Sequence, residues 1–309
     1  MKPLPTAILS VSLLGTLACQ EQQAASPSPG PASQSTYSGT LAFQSDRQGD
    51  RDVFLIDADG SGLRRLTDHP ANDRNPAWSP QGDLIAFGSD RTGNGDVYLM
   101  NPDGTGLRRL TRHEAYEGVP SWSPDGRWIV FEGDRDGRSQ IYRVEVASGR
   151  VERLTQSRAR KLGPDYSPDG FRIAFMEKGL IWWQVVLLNT RTEMTHTLTG
   201  GSGNCRPTWS PDGTTLVLVS SRGSKKADIW IMDVAKGSSR MVRTRPNAHN
   251  YDPVFSSDGL TLAFASTVVR DPEQWDLFIA KVDGRELVQL TSGSANDRFP
   301  DWRPERKTE

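Results

Sequence analysis

Only two cysteines, Cys19 and Cys205, occur in 309 residues, so no framework of several disulfides can hold this chain together. Cys205 reads as a small packed residue rather than a nucleophile. Charge of one sign is lacking too: 37 Lys and Arg against 38 Asp and Glu leave a net charge of −1. That balance gives no general electrostatic pull toward nucleic acid or an anionic membrane surface. Long apolar runs are absent. The one candidate, Ala7 to Ala18 behind Lys2, is too short to span a bilayer and has the form of a secretory leader. Between Gln20 and Ser38 large apolar residues nearly vanish among Gln, Ala, Ser and Pro. Such a segment cannot bury enough surface to fold and reads as a tether. Neither a Ser/His/Asp arrangement nor a nucleophile elbow is visible.

What is abundant is one phrase. A proline, one residue and an aromatic, usually followed by Ser-Pro-Asp-Gly, recur at Pro76-Ala-Trp78, Pro120-Ser-Trp122, Pro164-Asp-Tyr166, Pro207-Thr-Trp209, Pro253-Val-Phe255 and Pro300-Asp-Trp302. The prolines are 44, 44, 43, 46 and 47 residues apart, and a period of about 45 is that of a four-stranded propeller blade. Within one repeat, Ala77-Trp78-Ser79, Leu84 to Gly88, Asp96 to Met100 and Leu107 to Thr111 read as strands one to four from the axis outward, separated by Gly-rich turns. Asp-Gly recurs because tight hairpins need a positive φ, which glycine adopts without a Cβ clash. The first repeat starts at strand two, Thr40 to Gln44, and the chain finishes on a lone strand one at Asp301-Trp302. The fold expected is therefore all-β: a six-bladed β-propeller whose C-terminal strand completes the N-terminal blade and removes the open edges.

Trp-Ser-Pro-Asp-Gly followed by Ile-Ala-Phe, Ser-Asp-Arg, Asp-Val-Tyr and Leu-Thr resembles the propeller domain of the TolB family, over roughly Gly39 to Pro304. The resemblance implies a propeller that binds protein partners in the bacterial envelope. In that family an α/β domain precedes the propeller; the sequence here has the short tether in that place. Similar repeats also occur in peptidase and lyase propellers. The leader ends Thr16-Leu17-Ala18-Cys19-Gln20 and resembles a bacterial lipoprotein signal. This implies removal of residues 1–18, lipidation of Cys19, a tether over 19–38, the propeller over 39–304 and a tail over 305–309. By the same resemblance Gln20 favours the periplasmic face of the outer membrane.

Strands alternate in direction, so turns after strands one and three share one stereotyped face, and loops after strands two and four share a varied one, where binding residues usually sit. Three residues before each proline come Asp73, Glu117, Lys161, Asn204, Asn250 and Asp297. They are expected to ring the channel mouth as a mostly acidic or amide rim, suited to a basic or polar partner segment. Trp182, Trp183 and Trp275 on the same face are candidate protein or sugar contacts; Lys225 and Lys226 read as solvated. The repeat aromatics read as blade-to-blade packing. Arg47/Asp52, Arg91/Asp96 and Arg222/Asp228 read as local hairpin ion pairs. Asp57 to Asp68 superficially matches a calcium loop but reads as a hairpin turn. His69, His113 and His249 are weak metal candidates because their offsets differ; no cofactor is expected. The leading expectation is a non-enzymatic, lipid-anchored envelope protein that binds an envelope protein partner. Alternatives are a propeller acting on or binding oligosaccharides at the mouth, and a small-molecule or glycan sensor. Nucleic acid is not expected as a partner.

Overall fold

The computed structural model describes residues 37–200, 203–222, 226–245, 247–268 and 271–305. The leader, Cys19, most of the tether, Lys225 and the end of the tail lie outside the described residues. Six sheets of four antiparallel strands form the six blades. In blade two the strands are Asp73–Trp78, Ile85–Ser89, Asp96–Met100 and Arg108–Arg109. Turn chemistry sets these boundaries. At the first hairpin Gly82 has a φ of 65°, and its N–H bonds the Ser79 carbonyl at 2.8 Å.

Closure occurs as the sequence implies. The last strand, Arg298–Trp302, pairs with Thr40–Ser45, placing Trp302 opposite Leu41 and Asp301 opposite Ala42. The core is divided into six parts, each lying between neighbouring blades. Trp78, for example, packs with Ala42, Val53 and Leu55 of blade one as well as Ile85, Phe87 and Tyr98 of its own blade. Strand-two and strand-three aromatics pair within blades, as Phe87 does with Tyr98 at 5.9 Å between ring centroids. Tyr37, two residues before the expected start of the propeller, packs against the blade-six and blade-one cluster, and its hydroxyl donates to the Glu286 carbonyl at 2.8 Å.

The Leu-Thr motif has a specific task. The Thr67, Thr111, Thr155, Thr199 and Thr291 hydroxyls accept a backbone N–H of strand three, from Val53, Val97, Ile141, Val185 and Leu277. Successive blades are stitched where strand one begins: the N–H of Asp73, Glu117, Lys161, Asn250 and Asp297 each bonds a carbonyl at the start of the preceding blade's third strand.

Candidate functional site

The first strand of each blade is irregular at one place. Its register slips by a residue between Arg74 and Ala77 in blade two, and at equivalent places in the others. Proline has no N–H for the ladder, and the residue before it turns left-handed. Asn75, Val119, Arg206, Asp252 and Phe299 have φ between 52 and 55°, and Gly163 has 57°. Non-glycine residues seldom adopt this conformation. The bulge turns all six side-chain positions to the axis, where they form the waist of the channel.

On the Ser-Pro-Asp-Gly side of the waist is a cavity of about 290 Å³, with Ser121, Asp165, Thr208 and Asp301 on its wall. Asp165 and Asp301 belong to opposite blades. Each caps a neighbouring blade: Asp301 Oδ2 accepts the Trp78 N–H at 2.7 Å, and Asp165 Oδ2 the Trp209 N–H at 2.9 Å. Burial pushes their carboxyls up, to about 7 and about 6 respectively.

The opposite side holds the mouth, a cavity of about 450 Å³ lined by Arg51, Arg74, Arg206, Arg298, Glu132 and Glu273, with Tyr116, Trp275 and Phe299. Arg298 Nε and Nη2 both approach Asp252 Oδ2 at 2.9 Å, and Arg206 Nε lies 3.4 Å from Asp252 Oδ1. These guanidiniums stack over aromatics: Arg206 is 4.5 Å from the Phe299 centroid, and Arg298 is 4.5 Å from that of Trp275. Arg74 pairs with Asp90 at 2.8 Å, while its buried Nε has no hydrogen-bond partner among the described residues. Glu132 accepts the Gly163 N–H at 2.7 Å, and burial raises its carboxyl to about 7. Three of the four arginines are thus paired with carboxylates, and the mouth presents guanidinium groups beside aromatic faces, a combination that can engage further carboxylates.

The six residues expected to form this rim occupy one position, but they do not present their side chains. Asp73, Glu117, Lys161, Asn204, Asn250 and Asp297 are only 0–2% exposed. Arg91 holds Asp73 at 2.8 Å, Arg47 holds Asp297 at 2.7 Å, and Arg135 holds Glu117; Lys161 pairs with Glu177. The expectation of an acidic, solvated mouth is corrected: the carboxylates brace the blades, and the arginines of the following two positions face the opening. Two of the three expected hairpin pairs are corrected with it. Arg47 and Arg91 reach strand one, not Asp52 and Asp96, whose partners are Arg65 and Arg109 at 2.7 Å. Buried carboxylates need a close cation, and the arginine from the strand-two hairpin reaches them across stacked rings, as Arg91 does over Tyr98 at 4.9 Å.

The tryptophans divide. Trp275 lines the mouth and meets Tyr251 edge-on at 5.5 Å. Trp183 is half-buried beneath the Lys178 ammonium at 5.6 Å, and Trp182 is exposed. His69 and His113 Nδ1 accept backbone N–H groups of Ala71 and Ala115, and His249 Nδ1 that of Ala227. Among the described residues no group of three or more His, Cys, Asp or Glu is placed to hold a metal. Cys205 is half-buried, and burial pushes its thiol up to about 11. Arg51, Arg74, Arg206, Arg298, Glu132 and Phe299 were not singled out by sequence reasoning. For Arg74, Arg206, Arg298 and Phe299 the signal was present as variation at two positions between a buried polar residue and the repeat proline, whereas Arg51 precedes a third strand and Glu132 lies on a second strand.

These features define a closed six-bladed propeller with an axial mouth lined by arginine and aromatic side chains. A model of the TolB β-propeller domain matches residues 10–117 and 91–227, more than half of the chain, and the chain belongs to that family. It is 37% identical over 140 residues to the Tol-Pal system protein TolB of Anaeromyxobacter dehalogenans (strain 2CP-C), covering 42% of this chain and 29% of that protein. It is 33% identical over 104 residues to the uncharacterized peptidase YuxL of Bacillus subtilis (strain 168), covering 32% of this chain and 15% of that one. The chain thus spans less than a third of the length of either curated relative. The crystal structure of TolB from Acinetobacter baumannii superposes with a TM-score of 0.76 at 26% identity, covering 86% of this chain and 67% of that one.

Proposed function

We propose that this chain is a non-enzymatic protein of the bacterial envelope, lipid-anchored through Cys19 and joined to the membrane by the tether, whose axial mouth captures an acidic segment of a protein partner. The observation that carries the reading is the cluster of Arg51, Arg74, Arg206 and Arg298 beside Trp275 and Phe299. Arginine and aromatic side chains are the residue types that anchor protein interfaces. A ring closed strand to strand holds them in place before binding, so little ordering is needed when the partner docks. Membership of the TolB propeller family and the likeness to Tol-Pal proteins support a partner within the envelope.

Crosslinking in intact cells followed by affinity capture and mass spectrometry tests this reading. One dominant envelope protein, lost when Arg74 and Arg206 are changed to Glu in a chain that remains cooperatively folded, supports it. Undiminished capture by that variant sinks it.

A further inference from the structure

We propose that the strand-two to strand-three hairpin of blade four is a membrane-contact tip that enters the interface of an anionic phospholipid bilayer. Its apex is three consecutive large apolar residues, Leu180, Ile181 and Trp182, at 105, 70 and 52% exposure. Elsewhere among the described residues large apolar side chains are exposed singly, as at Leu63, Leu107 and Leu260, a pattern that needs no explanation. The tip is built rather than frayed. Gly179 N–H bonds the Trp182 carbonyl at 3.0 Å, and the Lys178 ammonium bonds the Ile181 carbonyl at 2.9 Å.

Its surroundings are cationic. Arg138, Arg158, Arg160 and Lys178 are all exposed. Lys178 belongs to the hairpin itself, and its N–H bonds the Arg160 carbonyl at 2.9 Å. Arg138 bonds the Arg158 carbonyl at 2.9 Å. None of these four is in an ion pair among the described residues. Two carboxylates close in sequence to these cations are already engaged, Glu177 by Lys161 and Asp136 by Arg153. The overall charge balance of the chain hides this local excess.

An exposed apolar apex with unpaired cations on its own hairpin and on the adjoining loop matches a lipid interface. Leucine, isoleucine and the indole ring enter the acyl boundary while Lys and Arg remain at anionic headgroups. A protein partner would instead have to supply a deep apolar cleft. The expected anchor points the same way: a 19-residue tether after Cys19 reaches roughly 25 Å, enough for the propeller to touch the bilayer that holds it. Leu180 to Trp182 are not among the residues lining the mouth, so a tilted contact through blade four leaves that cavity to a partner.

The test uses the full chain carrying Cys19→Ser, so that no acyl chain attaches, with and without Leu180→Ser/Ile181→Ser/Trp182→Ser. Sedimentation with phosphatidylcholine vesicles containing 30% phosphatidylglycerol is expected to show at least a tenfold loss of binding in the triple variant at equal melting temperature. Binding of the parent should weaken severalfold on pure phosphatidylcholine. Equal binding by parent and triple variant overturns the proposal. So does the outcome in which the triple variant binds vesicles normally but loses a protein partner, which would assign the tip to protein contact. Should the triple variant misfold, Ile181→Cys labelled with an environment-sensitive fluorophore replaces it; the Cys205 thiol is kept largely protonated at neutral pH by burial. A blue shift with phosphatidylglycerol vesicles is expected, and its absence overturns the proposal.

Discussion

The two ends of the axial channel come from the same six strands and behave oppositely. On the Ser-Pro-Asp-Gly side the polar groups face inward and are spent on the ring: Asp165 and Asp301 accept N–H groups of neighbouring blades. On the mouth side Arg206 and Arg298 face the opening and share Asp252. Between the two lies the left-handed waist, and one step along the strand separates a scaffold residue from a displayed one. Asp73 is sealed under Arg91, while Arg74 lines the mouth. In a propeller, a residue's place relative to the bulge decides whether its charge is structural or available.

The largest effect should come from breaking the scaffold. Asp73→Lys or Asp297→Lys places like charges together in a buried site and should cost at least about 3 kcal/mol, read as a lowered urea midpoint. Loss of partner capture in these variants would then reflect loss of fold. A wild-type melt would return these carboxylates to the exposed rim that the sequence suggested.

Second in size is a pH effect to which the channel carboxyls contribute. Glu132 and Asp301 sit at about 7 and Asp165 at about 6 in the folded chain, above their unfolded values near 4. The folded state thus retains protons that the unfolded chain releases, and stability should fall as pH rises from about 4 to about 7, then level off. Asp301→Asn removes its share of that slope. Relative to the parent it should gain roughly 2 kcal/mol between pH 5 and pH 8, less than the full shift implies because the side chain faces the channel. Parallel melting curves for the two proteins would refute this.

The smallest effect sharpens the waist. Val119 is β-branched in a left-handed conformation, which costs about 1–2 kcal/mol. Val119→Asn, which tolerates that region better, should stabilise the protein by about 1 kcal/mol, measured by chemical denaturation.

Much of the fold was legible because turn chemistry is local. Asp-Gly and Ser-Pro-Asp-Gly mark hairpins, and a strand-two start with a strand-one finish leaves ring closure as the solution. The site was less legible because its partners are distant in sequence. Asp73 looked solvated since Arg91, 18 residues away, appeared to have a nearer mate in Asp96; the ring instead lets strand four supply Arg109 to that aspartate. The waist left no glycine signature, since five of its six residues hold a positive φ without glycine. The arginines of the mouth hid in plain variation, because only the bulge tells which of two adjacent positions turns to the axis.

The division between bracing carboxylates and displayed arginines is tested most directly by capture from crosslinked cells with Arg74→Glu/Arg206→Glu against the parent, both verified by thermal melting. The account expects a cooperative melt, lowered because Arg206 no longer faces the buried Asp252, which keeps Arg298, and at least a tenfold loss of the captured envelope protein. Capture at parental levels by the folded variant would contradict it.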